Sequence, residues 1–266
     1  MCIRDRAITA LVEAAVALDA PELLVAATEC ARAVVGVHIV DGRLRRASLG
    51  GRVGDSAAIL EDHAALATGL LTLYQLTGEV SWLTSAMSLL DTALEHFGDA
   101  ETAGRWFDTA DDADALMVRP ADPLDGATPS GASLIAEALL LAAHMAPAPR
   151  ADVYAAAAEA TLAAGPILAR LARSGGHWLA VAEAAVRGPI QIAVTCDPVD
   201  SELLAAARRL APGGAIVVGG PVDSSELLAD RDRVGGLDAA YVCRGRTCDL
   251  PVTAAGDLAV ALGVSV

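Results

Sequence analysis

Leu60-Glu-Asp-His-Ala-Ala-Leu-Ala-Thr-Gly-Leu-Leu-Thr-Leu-Tyr-Gln-Leu-Thr77 decides the fold class. Leu60, Ala64, Ala67, Leu71 and Tyr74 recur at spacings of four and three, the stripe of a helix. Leu66, Leu70, Leu73 and Leu76 lie on other sides, so the helix, expected from about Ser56 to Thr77, is apolar on more than one face. A helix buried on two sides belongs to an inner layer. Gly78 is suited to end it, and Trp82, Ala86, Leu89, Ala93 and Phe97 begin a second stripe. The pair reads as an antiparallel helical hairpin.

Upstream, Ile8 to Leu18 is a strong helix former. Asp19-Ala-Pro21-Glu22 restarts a helix that runs to about Val35, with Pro and Glu suited to its first turn. Asp41-Gly42, Gly50-Gly51 and Gly54 then break the chain. The first six residues, Met1 to Arg6, fit poorly with the helical pattern after them, and a truncated reading frame is expected.

Downstream, Ala132 to Met145 reads as a helix stopped by Pro147 and Pro149. Val153 to Ala172 reads as its partner, with a kink or split expected at Gly165-Pro166. A short helical stretch spans Trp178 to Val186. At Gly188-Pro189 the pattern changes to short apolar runs, Ile190–Thr195, Ala215–Val218 and Ala239–Cys243, alternating with helical segments at Ser201–Leu210 and Ala254–Leu262. This alternation predicts a small, mainly parallel α/β unit. The expected division is therefore 1–187 helical and 188–266 α/β. No fixed internal period supports a solenoid.

The 266 residues are 54% hydrophobic, enough for a full core, and only 3% aromatic, so small aliphatic side chains must pack the helices closely. A net charge of -15 repels phosphate backbones, and nucleic acid is not an expected partner. Every apolar stretch is interrupted well before the ~20 residues of a membrane span, and the N-terminus lacks a signal-peptide core, so no membrane partner and a cytoplasmic location are expected. Cys2, Cys30, Cys196, Cys243 and Cys248 form no disulfide framework. Cys243 and Cys248 are read as free thiols, with a disulfide or a metal pair, brought together by a strand-end hairpin, as the alternative.

Chemistry concentrates between Trp106 and Ser133, where Asp108, Asp111, Asp112, Arg119 and Asp125 gather among Gly and Pro. Long irregular segments within compact helical domains are uncommon unless they bind something. Asp108, Asp111 and Asp112 lack the Gly and distal Glu of a calcium loop, and the histidines show no metal spacing, so no metal is expected. Turn and cap duty is the competing reading for these acids. Arg119 is suited to pair with Asp122 or Asp125, as a structural ion pair or a ligand contact. Ser130 reads as the hydroxyl capping the next helix. Glu61 and Asp62 sit at a helix start, where the free N–H groups favour carboxylates. His63 reads as a hydrogen-bonded core histidine. The Gly pairs at 213–214 and 219–220 spell no dinucleotide or phosphate loop, and no cofactor is expected.

Asp41-Gly-Arg-Leu-Arg-Arg, Leu60-Glu-Asp-His-Ala64, Phe107-Asp-Thr-Ala-Asp-Asp112, Val118-Arg-Pro120, Asp125-Gly-Ala-Thr-Pro-Ser-Gly131 and Tyr241-Val-Cys through Cys248, in that order, resemble the YyaL-like, spermatogenesis-associated family of thioredoxin-domain proteins. The resemblance spans roughly residues 7 to 262. His63 stands where Tyr is usual, and Ala132 where Asn is usual. The resemblance implies a mainly α fold, a partial (α/α)6 six-hairpin toroid similar to N-acylglucosamine 2-epimerases and six-hairpin glycosidases, with a small α/β unit. It implies a C-terminal fragment whose thioredoxin-like domain and N-terminal half are absent from this chain. The implied ligand is a small carbohydrate. In such a barrel one of Glu61 and Asp62 would point into the cavity as catalytic acid or base, with Glu61 facing Asp108 or Asp111, as paired carboxylates do in glycoside hydrolysis. Asp112, Arg119, Asp125 and Ser130 would then contact the ligand. The alternative is a non-catalytic interaction module working with the thioredoxin-like domain.

Overall fold

A computed structural model describes residues 3–164, 172–197, 201–245 and 247–264. The expected kink at Gly165-Pro166 lies outside the described residues. The chain is mainly α with a small α/β part, and its helices close no barrel among the described residues.

Six helices pair in chain order as hairpins: α1 (Arg4–Ala17) with α2 (Pro21–His38), α3 (Leu60–Thr77) with α4 (Val80–His96), and α5 (Gly131–Ala142) with α6 (Arg150–Ala164). The inner helix is α3, which packs against α1, α4 and α5. Its residues from Leu60 to Leu71 are buried almost without a break, apart from Glu61, as its all-round apolar pattern requires. Gly69 lets α1 approach closely: a Cβ there would stand 3.2 Å from Ile8 Cβ. Asp62 accepts the Ile59 N–H at 3.0 Å to cap the helix start, and Gly78, at φ 67°, ends it in the left-handed region.

Two breaks in the pattern are small hairpins. β1 (Ile39–Val40) pairs with β2 (Arg43–Leu44) around Asp41-Gly42, and β3 (Ser48–Leu49) with β4 (Arg52–Val53) around Gly50-Gly51. All four turn residues have positive φ, the tight-turn geometry that Asp-Gly and Gly-Gly favour.

After helix α7 (Gly176–Arg187) comes a four-stranded sheet in the order β6-β5-β7-β8. Its strands are β5 (Ile190–Thr195), β6 (Ile216–Gly220), β7 (Ala239–Arg244) and β8 (Thr247–Cys248). The expectation of a mainly parallel unit is corrected: only β5 and β6 run parallel, and β7 and β8 are antiparallel. Helix α8 (Glu202–Leu210) supplies the crossover that a parallel pair needs. Between β6 and β7 the chain forms only a 3-10 turn at Glu226–Leu228, so it returns in the opposite direction.

One sheet face, with Ala193, Ile216, Val218 and Tyr241, joins the helical core. The other, with Ile192, Val194, Val217 and Val242, packs on Leu203, Leu204 and Ala207 of α8 and Leu258 of α9 (Ala255–Leu262). Polar ties cross the first junction: Gln75 Oε1 accepts the Val217 N–H at 3.0 Å, and Gln191 meets His144 Nδ1 at 2.7 Å. The reading of Cys243 and Cys248 as free thiols is also corrected. The β7–β8 register sets them directly opposite, and they form a disulfide.

Candidate functional site

The loop from Phe97 to Ser130 folds over the head of α3, fastened by its own backbone. Phe107 N–H donates to Phe97 O at 2.9 Å, Asp108 N–H to Pro120 O at 2.8 Å, and Asp111 N–H to His96 O at 2.9 Å. Leu60 N–H donates to Asp108 O at 3.0 Å, satisfying one of the free amides at the start of α3.

The acids placed here by sequence have separate partners. Glu61 is ion-paired with Arg6. Asp62, fully buried, caps α3 through Oδ2 with Arg46 3.6 Å away, while its Oδ1 has no hydrogen-bond partner among the described residues. Asp108 Oδ2 accepts the Asp122 N–H at 3.3 Å, and burial pushes its carboxyl above the usual carboxylate range. The Leu60–Asp108 backbone bond brings Asp108 to the head of α3, but the Glu61 and Asp108 carboxylates serve different contacts.

Asp111 and Asp112 form a cluster with two residues that sequence reading did not connect to them. Asp111 Oδ1 accepts from His96 Nδ1 at 2.8 Å. Asp112 is held bidentately by Arg43, at 2.5 and 2.8 Å, and that hydrogen bonding draws its carboxyl below the usual range. Arg43 also approaches His96 Nε2 at 3.2 Å. The ligand atoms of His96, Asp111 and Asp112 lie within 4.8 Å of one another, a spacing a metal ion would accept. The Arg43 guanidinium already supplies the positive charge there, however. The Asp111 contact also places a proton on His96 Nδ1, so that nitrogen offers no lone pair.

Arg119 is a correction. Instead of pairing with Asp122 or Asp125, it donates to His96 O at 3.1 Å and Thr109 O at 2.5 Å and lies 4.0 Å from the Phe107 ring centroid. The carboxylates expected to receive it accept backbone N–H groups.

Asp125 joins two helices. Its Oδ1 accepts from Ser130 N–H at 2.9 Å and Ser133 Oγ at 2.8 Å, at the start of α5. Its Oδ2 accepts from His177 N–H at 2.9 Å, at the start of α7. Burial raises its carboxyl, but these bonds outweigh burial and hold it below the usual range. Ser130 is the N-cap of α5, accepting from Ser133 N–H at 3.1 Å.

Next to the cluster lies a cavity of about 190 Å³ lined by Arg43, Arg45, His63 and Asp112 with aliphatic neighbours. His63 is 2% exposed and packs tilted against Phe97, with ring centroids 4.9 Å apart and ring planes 56° apart. Its Nδ1 donates to Ile59 O at 3.0 Å, and its Nε2 is buried with no partner among the described residues. Burial holds the imidazole less basic than usual, so Nε2 carries a lone pair rather than a proton.

No family model matches the chain. A stretch covering 39% of the chain is 39% identical over 113 residues to spermatogenesis-associated protein 20 of mouse. The rat protein of that name is 38% identical over 113 residues, and the human protein 37% identical over 109. The matched stretch is 14% of the length of each relative. These similarities support a spermatogenesis-associated protein 20-like family.

Proposed function

We propose that this chain is part of a spermatogenesis-associated protein 20-like protein and binds a small carbohydrate in the cavity beside the acidic loop. The observation that carries the proposal is that His63, whose buried Nε2 has no donor among the described residues, lines a cavity that also offers the Arg43–Asp112 pair. A buried unpaired polar atom is costly, and a ligand hydroxyl would satisfy it. At about 190 Å³ the cavity is below the usual ~300–1,000 Å³ of small-molecule sites, so it would take no more than a single sugar unit. Sugar hydroxyls both donate and accept, as Arg43, Asp112 and His63 together require. The net charge of -15 supports a small-molecule partner over nucleic acid.

Binding rather than hydrolysis is the favoured reading, because most of the acids expected to catalyse are engaged in capping and ion pairing. A second reading rests on Asp108, whose raised carboxyl suits a general acid.

Calorimetric titration of the chain with glucose, N-acetylglucosamine and N-acetylmannosamine tests both. One of these sugars is expected to bind, and His63→Phe, which keeps an aromatic ring against Phe97, is expected to weaken it about tenfold, the value of one hydrogen bond to a buried acceptor. No binding by the folded chain, or equal binding by His63→Phe, refutes the proposal. Sugar turnover abolished by Asp108→Asn establishes the second reading.

A further inference from the structure

A cavity of about 590 Å³ lies away from the acidic loop. It opens between α1, α3, α5, α8 and the 211–215 turn, and its volume is within the usual ~300–1,000 Å³ of small-molecule sites. Its polar lining is arranged by charge. On α3, Thr68, Thr72 and Gln75 present a polar stripe at helical spacing. Thr68 is 5% exposed, yet its Oγ1 has no hydrogen-bond partner among the described residues.

Arg208 of α8 donates from Nη2 to Leu76 O at 2.9 Å, leaving its buried Nε without a partner. It forms no ion pair with any described residue, and burial depresses the guanidinium. Glu13 of α1 and Glu137 of α5 contribute two carboxylates. Glu13 lies on the exposed rim, where partial burial and then the charge of Glu137 raise its carboxyl, and Glu137 lies 3.2 Å from His177 Nε2. The cavity is therefore lined by two arginines, Arg208 and Arg209, and two glutamates, none of which pairs with another, and by a buried hydroxyl without a partner among the described residues. The buried unpaired atoms here, Thr68 Oγ1 and Arg208 Nε, call for a ligand or ordered water to complete them.

We propose that this cavity is a small-molecule site, separate from the sugar cavity, for an amino-acid-like zwitterion. Arg208 takes the ligand carboxylate, Glu13 and Glu137 take its ammonium, and Thr68 Oγ1 completes a hydrogen bond to it. The proposal does not depend on the carbohydrate reading, because the two cavities share no lining residue.

The test is titration of the chain with L-glutamate, L-lysine and glycylglycine at millimolar concentration, monitored by calorimetry and by the shift in melting temperature. At least one zwitterion is expected to bind saturably, with acetate and methylammonium, each half of the ligand, binding at least tenfold more weakly. Arg208→Met is expected to weaken zwitterion binding at least tenfold, the value of about one charge-assisted hydrogen bond. Because Arg208 also contacts Leu76 O, Thr68→Val provides a variant that keeps the fold: it removes only an unpaired hydroxyl. It is expected to melt no lower than the parent while binding the zwitterion several-fold more weakly. Absence of zwitterion binding by the folded chain overturns the proposal. So does binding that Thr68→Val and Arg208→Met leave unchanged. His63→Phe is expected to leave zwitterion affinity unaltered, and a parallel loss overturns the separation of the two sites.

Discussion

Replacing Asp125 by Ala removes the one side chain that fastens the starts of two helices. Its oxygens accept from Ser130 N–H, Ser133 Oγ and His177 N–H at 2.8 to 2.9 Å. A fourth contact, Trp178 N–H at 3.5 Å, is too long to count. Each helix-start interaction is worth ~1 kcal/mol, and the hydroxyl bond about 1 more, giving a loss of about 3 kcal/mol. At ~2–4 °C per kcal/mol for a domain of this size, the melting temperature should fall by roughly 6–12 °C. Asp125→Asn retains one acceptor oxygen and should lose about half as much. The acid dependence distinguishes this from a packing effect. Because the folded carboxyl is depressed, its stabilisation is present above the unfolded value of ~3.9 and is lost as pH falls through the folded value. The gap between parent and Asp125→Asn should therefore shrink in acid. Urea unfolding of the parent and both variants, at neutral pH and well below pH ~3.9, measures all of this. An Ala variant within ~0.5 kcal/mol of the parent, or a gap indifferent to pH, would refute the reasoning.

Two further outcomes rest on single residues. Gly104 has φ +77°, and a Cβ there would lie 2.0 Å from Ala160 O of α6, so Gly104→Ala should cost at least ~2 kcal/mol in urea unfolding. Asp5, 1% exposed, has its carboxyl raised to about 6, chiefly by burial. A folded value above the unfolded ~3.9 penalises the ionised form, so the penalty appears as pH rises through that window and is absent below it. Asp5→Asn should accordingly stabilise the chain at pH 7 by up to ~3 kcal/mol and have little effect below pH ~4, as urea unfolding at the two pH values would show.

The elements whose own pattern carried the signal were legible in the sequence. The stripe at Leu60, Ala64, Ala67, Leu71 and Tyr74 marks α3, and β5 spans the run from Ile190 to Thr195. Ser130 could be recognised as a cap because the cap lies three residues from its partner. What failed to show depends on how distant segments return to one another. Arg43 meets Asp112 across 69 residues, and Asp125 reaches His177 across 52. Periodicity describes one element's faces and is silent on such meetings. The direction of β7 was missed because short apolar runs look alike in parallel and antiparallel sheets, and only the lack of a crossover helix before it separates them. Arg119 was misread because a guanidinium near carboxylates is also satisfied by carbonyls and an aromatic face.

The most direct test of the central claim uses protein labelled with 15N at histidine, observed while N-acetylglucosamine or its companion sugars are added. The His63 Nε2 resonance is expected to begin at the position of an unprotonated, unbonded nitrogen and to move saturably toward that of a hydrogen-bond acceptor as sugar binds. Sugar binding that leaves this nitrogen unmoved, or a His63 Nε2 that is already protonated in the free chain, would contradict the claim.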